Sequence, residues 1–399
     1  MDRAAAIHLV EGLVRIRSHS REEAEASRWL ADQMRRSGYE RAFVDDAGNA
    51  VGEIGEAEAP ATIVLLGHID TVPGNIPVRI EATGQGPVLY GRGSVDAKGP
   101  LATFVAAAAR VGAPFVRTAG LRVVVVGAVE EEAATSKGAR FIAARLDGAR
   151  ERVPDACVIG EPSHWHRVTL GYKGRLLLDL EARQPMAHTA GPDASVAMVL
   201  VDVWNRVVAH ARAFNSARDK AFDQLTPSLR RFITATGDDM IDTVDAQIAW
   251  RLPPGADAAQ LAADLVAGTA SHIGADVVTI DAAAVVRGEP VALAGTRATI
   301  AFRFRGFEPP WRGDRQNALV RSFLAAIRSQ DASVQPGFLV KTGTSDMNVV
   351  APLWRCPIVA YGPGDSALDH TPHEHLSLDE YWRAILVVEE MIRQFARCL

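Results

Sequence analysis

Four short runs, at residues 61–66, 121–129, 156–159 and 357–360, constrain what this chain can fold into more than any other feature. Ala61-Thr62-Ile63-Val64-Leu65-Leu66 shows no polar-apolar alternation, and that continuity is the pattern of a strand covered on both faces. An apolar helical stretch at 100–111 lies between the first two runs. Residues 2–17 and 22–37 also repeat with a helical period, and Gly38 follows the second as a C-terminal stop. Strands separated by helices predict an α/β fold with a mostly parallel sheet and helices on both sides. A chain of 399 residues is long for one core, so two domains are expected.

The pattern changes at Tyr172. Leu176-Leu177-Leu178-Asp179-Leu180-Glu181-Ala182 alternates, then come a helix near 193–213, a strand near 243–252, a helix near 256–271 and strand-like sequence to about 305. A strand-helix-strand-strand-helix-strand order set inside the first domain predicts an inserted α+β, ferredoxin-like lid. The expected division is 1–171 and 309–399 for the outer domain and 172–308 for the insert. A helix at 317–329 resumes the outer domain, and a last one runs from Ser377 to about 397, with Glu380 spaced for a capping box.

Several of the runs end in side chains that bind metals. The motifs are Gly67-His68-Ile69-Asp70, Gly91-Arg92-Gly93-Ser94-Val95-Asp96-Ala97-Lys98-Gly99, Glu130-Glu131-Glu132, Gly160-Glu161-Pro162-Ser163 and Asp369-His370-Thr371-Pro372. In parallel sheets ligands gather beyond the carboxyl ends of the strands, where His68, Glu130–Glu132 and Glu161 would land together. Two imidazoles and three carboxylates make a mixed nitrogen and oxygen site suited to a pair of divalent ions, whose natural chemistry is hydrolysis. Each motif alone has a plainer reading. His-x-Asp is usually a structural pair, a glutamate run usually a solvated helix start, and Gly160-Glu161-Pro162 a turn. His370, His373 and His375 could form a separate cluster, as could His164 and His166, although loop histidines account more simply for His164, His166, His373 and His375. Gly91-x-Gly93 is too short for a phosphate loop. The joint occurrence of the motifs is what a random globular chain rarely supplies.

A formal charge of -5 and a pI near 6.1 argue against nucleic-acid binding. The amphipathic N-terminus does not read as a signal peptide, and no stretch reaches the roughly 18 apolar residues of a membrane span. Cys157, Cys356 and Cys398, an odd number without metal spacing, fit packing residues of a reduced cytoplasmic protein.

The quoted motifs resemble those of the zinc-dependent aminoacylase, carboxypeptidase and deacetylase superfamily, over residues 10 to the C-terminus. The resemblance implies a zinc-exopeptidase-like catalytic domain, with a lid that also dimerises, and two divalent ions per subunit, zinc or cobalt. It implies that His68 and Glu161 hold one ion, Glu132 and His370 the other, and Asp96 both. Asp70 orients His68, and Glu131 is the general base, a register chosen because the distance from Glu132 to Gly138 fits the family. A cis peptide after Asp96 is also implied. His188, in Met186-Ala187-His188-Thr189-Ala190-Gly191-Pro192, resembles the lid histidine that reaches a neighbouring subunit's site. Arg251, Thr344, Ser345 and Asp346 become candidates for gripping the released amino acid.

Residues 67–74, 129–133, 170–176 and 341–348 further resemble a branch that frees lysine or ornithine from an amino-group carrier protein (LysW) in lysine and arginine biosynthesis. Acetylornithine deacetylase and succinyl-diaminopimelate desuccinylase are near relatives of that branch. The implied substrate is therefore a carrier conjugate or a small N-acyl amino acid. A silent binding homologue would have no use for a complete ligand set. Extra length around 289–310 departs from the branch. Between Arg206 and Arg231, six basic residues face two acidic ones, which reads equally as a docking patch for an acidic carrier or as a solvated helix face.

Overall fold

The structure, a computed structural model, describes residues 1–188, 195–276, 281–296 and 298–398. The chain divides into two compact units, one of residues 1–171, 312–340 and 345–399, the other of 172–311 and 341–344. Residues 309–311 and 341–344, which the sequence places in the outer domain, therefore group with the insert.

The first unit is built on a nine-stranded mixed sheet. Its central strands lie in the order Ala50–Ile54, Leu121–Ala128, Ala61–His68, Ala156–Gly160 and Ile358–Ala360. The last four are mutually parallel, while Ala50–Ile54 pairs antiparallel with Leu121–Ala128. Every residue of Ala61–His68 and Leu121–Ala128 is buried, as continuous apolar strands require. The helices Arg3–Arg15, Lys98–Thr118, Ala318–Gln330 and Leu378–Ala396 share one core with them, in which Leu65, Phe104, Val125, Phe323 and Tyr381 are fully enclosed. Gly160 permits the closest approach: a Cβ there would lie 2.9 Å from the Cα of Gly67 and 3.0 Å from Phe104.

Two sequence expectations change here. Lys98–Thr118 is long and apolar enough to pass for a membrane span, but most of it is buried in this core, and its chain bends at Gly112. Ser377 does cap the last helix by accepting from the Glu380 amide at 3.3 Å. The Glu380 carboxylate does not reach back to complete the box; it accepts from the Trp165 and Gly364 amides at 2.9 and 3.2 Å.

The second unit is a five-stranded antiparallel sheet in the order Thr226–Thr236, Ile241–Leu252, Gly174–Pro185, Thr299–Glu308 and Pro290–Ala294. Leu178, Leu180, Ile248, Trp250 and Phe302 form its inner face with the helices Val196–Asn215 and Ala258–Ile273. The extra length near 289–310 is a hairpin that adds the edge strand Pro290–Ala294. The basic stretch is not one helix face. Arg206 and Arg212 sit on Val196–Asn215, whereas Arg230 and Arg231 lie on the exposed edge strand Thr226–Thr236.

Candidate metal centre

The parallel strands deliver their carboxyl ends to one edge of the first unit. His68 ends Ala61–His68, Glu130–Glu132 follow Leu121–Ala128, and Glu161 follows Ala156–Gly160. Asp96 sits before the helix Lys98–Thr118, with a cis peptide between Asp96 and Ala97. Its two oxygens face two rings: Oδ1 is 3.3 Å from His68 Nε2 and Oδ2 is 3.0 Å from His370 Nε2. Glu132 Oε1 lies 2.9 Å from the same His370 nitrogen. Ligand atoms of His68, Asp96 and Glu132 all fall within 4.8 Å of one another, and the described residues hold no second such group of three.

Asp70 is fully buried behind this cluster. Its backbone oxygen is 3.0 Å from His68 Nδ1, which turns Nε2 toward Asp96. Its carboxylate accepts from Ser20 Oγ at 2.6 Å and from the Glu131 and Glu132 amides at 3.1 Å each. The buried Glu23 carboxylate takes the third amide of the run, that of Glu130, at 3.1 Å. Glu130 has a φ of +59°, a left-handed conformation that costs an ordinary residue roughly 1–2 kcal/mol. Amide bonds to charged acceptors, about 1.5–3 kcal/mol each, outweigh it. The three glutamates then point differently: Glu130 accepts from Thr135 Oγ1 at 2.7 Å and lies 3.6 Å from Arg21, Glu131 is half-buried, and Glu132 meets His370. Asn49 closes the loop by accepting from Val129 N at 3.0 Å and donating to Gly138 O at 3.2 Å. At Gly138 a Cβ would fall 2.4 Å from Val129 N.

Electrostatics mark the cluster as built for cations. Burial pushes the Glu131 carboxyl well up, against His68 but helped by Glu161, Asp346 and Glu132. Burial raises Glu132 also. Burial works against the charged His68 ring, yet Asp70, Asp96 and Glu131 hold it well above its ordinary range. Asp96 and Glu132 push His370 up to about 10. Nitrogen and oxygen lone pairs that converge at such distances bind either protons or metal ions, and imidazoles with carboxylates suit divalent metals of the zinc type.

Eight of the twelve sequence candidates thus meet in the first unit: His68, Asp70, Asp96, Glu131, Glu132, Glu161, Asp346 and His370. Ser345, in the same unit, spends its hydroxyl on capping the helix Asp346–Trp354 through the Met347 amide, 3.3 Å away. Arg251 and Thr344 belong to the second unit, where Arg251 Nη1 donates to Thr344 Oγ1 at 2.7 Å and that hydroxyl donates to Lys173 O at 2.8 Å. His188 is exposed in the second unit; Thr189-Ala190-Gly191-Pro192 of its motif lie outside the described residues. His375 Nδ1 faces His373 O at 2.7 Å, and its ring lies 5.2 Å from that of Tyr90. His164 pairs with Glu380 at 3.5 Å. Ser20, Glu23, Asn49 and Glu374 escaped the sequence reading. Glu374 is fully buried and takes the Val95 and Asp96 amides at 2.9 and 3.1 Å.

The peptidase family M20/M25/M40 model matches residues 64–394. A LysW-lysine hydrolase of Deinococcus radiodurans is 43% identical over 97% of this chain and 96% of its own length. A LysW-lysine/LysW-ornithine hydrolase of Saccharolobus islandicus is 25% identical, covering 97% and 96%. Among solved structures, an M20 family metallo-carboxypeptidase from Sulfolobus solfataricus superposes with a TM-score of 0.72 at 16% identity, covering both chains completely. A dinuclear metal binding peptidase of the M20 family from Bacillus subtilis gives 0.64 at 12% identity, covering 99% and 97%. The chain therefore belongs to the peptidase family M20/M25/M40 and is a metal-dependent amidohydrolase.

Proposed function

We propose that the protein hydrolyses the amide joining lysine or ornithine to the glutamyl end of an amino-group carrier protein. The observation that carries this reading is the 43% identity with the Deinococcus radiodurans LysW-lysine hydrolase along nearly the whole of both chains. His68 and Glu161 would hold one divalent ion, Glu132 and His370 the second, with Asp96 between them; zinc or cobalt suits the donor set. Bound there, the ions supply an acidified water and polarise the amide carbonyl.

The chain's own residues do the rest. Asp70 fixes the His68 ring and so the direction of its Nε2. Glu131 takes the proton from the attacking water and returns it to the leaving amine. His188, from the lid of a second copy in a cytoplasmic homodimer, donates to the oxyanion. Arg251, beside Thr344, grips the carboxylate of the amino acid set free, because a guanidinium can donate two parallel bonds. Asp346 takes its amine.

The test incubates the protein, with zinc or cobalt, against carrier-glutamyl-lysine, carrier-glutamyl-ornithine, N-acetylornithine and N-succinyl-diaminopimelate. Release of lysine or ornithine from the carrier conjugates at a kcat/KM at least about tenfold above the small substrates supports the reading. Faster turnover of a small N-acyl substrate makes the protein a small-molecule deacylase instead, and no turnover of any overturns both substrate readings.

A further inference from the structure

A run of three glutamates poses a problem that side-chain chemistry cannot solve. Glu130, Glu131 and Glu132 are identical groups, so the residue that faces inward as the base has to be selected by the backbone. We infer that Glu23 and Ser20, in the turn between the helices Arg3–Arg15 and Ala24–Arg36, are positioning residues that set this register and so aim Glu131. The inference rests on the reading of Glu131 as the base.

Three successive amides each end on a carboxylate. Glu130 N donates to Glu23 Oε1, Glu131 N to Asp70 Oδ1 and Glu132 N to Asp70 Oδ2, each at 3.1 Å. Neither acceptor is free to drift. Ser20 Oγ holds Asp70 Oδ2 at 2.6 Å, and the Arg21 amide holds Glu23 Oε1 at 2.8 Å. The turn is itself tied to the strand end that carries His68, through Ser18 Oγ to Ile69 O at 2.7 Å and Thr71 N to Ser18 O at 2.9 Å. Glu23 is 5% exposed, an enclosure that a solvated helix start would not need. Its carboxylate is thus buried to serve an amide that begins the glutamate run, at the residue whose left-handed backbone turns the chain.

Glu23→Ala removes the acceptor, whereas Glu23→Gln keeps an oxygen able to take both amides. Three measurements are made on each variant and on Ser20→Ala: metal content, hydrogen exchange of the 130–132 amides, and kcat and KM on the best substrate of the panel above. For Glu23→Ala we expect the Glu130 amide, which loses its acceptor, to exchange at least about tenfold faster. We expect kcat to fall about 10- to 100-fold, the range for groups that orient reacting residues, with KM within about threefold and two metals per chain retained. Glu23→Gln should recover kcat to within about fivefold of wild type. Should Glu23→Ala not fold, Ser20→Ala carries the test, with the same directions and a smaller loss. Unchanged kcat and exchange overturn the inference, as do equal losses in the Ala and Gln variants or metal lost in step with activity. If Glu131→Gln remains active, the base assignment has failed; the exchange of the 130–132 amides still decides whether the clamp exists.

Discussion

Asp70→Asn perturbs the carboxylate that joins the turn at Ser20 to the glutamate run. Asp70 is fully buried, and its two oxygens receive the Ser20 hydroxyl and the Glu131 and Glu132 amides, with His68 Nδ1 3.5 Å from Oδ1. Asparagine keeps one acceptor and replaces the other oxygen by an amino group. With its oxygen toward Glu131 and His68, its nitrogen meets the Glu132 amide donor to donor, while the Ser20 hydroxyl can rotate to accept. One buried amide left without a partner costs about 1–3 kcal/mol, and turning a charged acceptor into a neutral one costs about 1 kcal/mol more. The sum, about 2–4 kcal/mol, is a large share of a usual stability of 5–15 kcal/mol. Loss of the carboxylate charge 3.5 Å from His68 Nδ1 should also weaken metal binding by about 10- to 100-fold. Urea unfolding of metal-free protein measures the first quantity without the stabilisation that bound metal would add, and zinc titration with a competing chelator measures the second. Metal-free stability within about 0.5 kcal/mol of wild type, the usual scatter for substitutions away from special features, together with unchanged zinc affinity would refute the reasoning.

His370→Ala should lower metal occupancy and activity together, while His373→Ala leaves occupancy near normal, since only His370 faces Asp96 and Glu132; metal analysis of both variants decides. Mixing inactive Glu131→Gln chains with inactive His188→Ala chains should restore activity, to at most about a quarter of wild type, because half the random dimers are mixed and each has one intact site of two. No recovery after confirmed subunit exchange contradicts a site shared between subunits. Glu380 beside His164 holds that ring above its ordinary range, with burial opposing. The stabilisation is therefore present below the unfolded imidazole pKa and lost as pH rises through the raised one. Urea midpoints of His164→Gln should fall furthest below wild type near about pH 6 and converge with it toward alkaline pH; a gap that widens with pH contradicts the assignment.

What the sequence made legible follows from how each element is stabilised. Strands buried on both faces have to be apolar along most of their length, so Ala61–His68 and Leu121–Ala128 announced themselves, and the side chains that end them came with them. Thr226–Thr236 did not, because an exposed edge strand carrying Arg230 and Arg231 owes its shape to pairing with Ile241–Leu252 rather than to its own pattern. The half-formed cap at Ser377 has the same origin: Glu380 has the right spacing, but the distant Trp165 and Gly364 amides claim it. Ser20, Glu23, Asn49 and Glu374 left no signal for a related reason. A polar residue in a loop reads as solvated until the fold buries it, and the distant groups that these residues serve lie between 50 and 282 positions away. Ser345 shows the converse: grouped by motif with Thr344 and Asp346, it caps a helix.

The account turns on Glu131 as a base that is not a ligand, and Glu131→Gln tests this most directly. Metal analysis and steady-state kinetics on the same preparation should find two metals per chain retained and kcat reduced by at least about 100-fold, within the range of general-base effects. Loss of one metal along with activity would make Glu131 a ligand and contradict the account, as would two metals with activity near wild type.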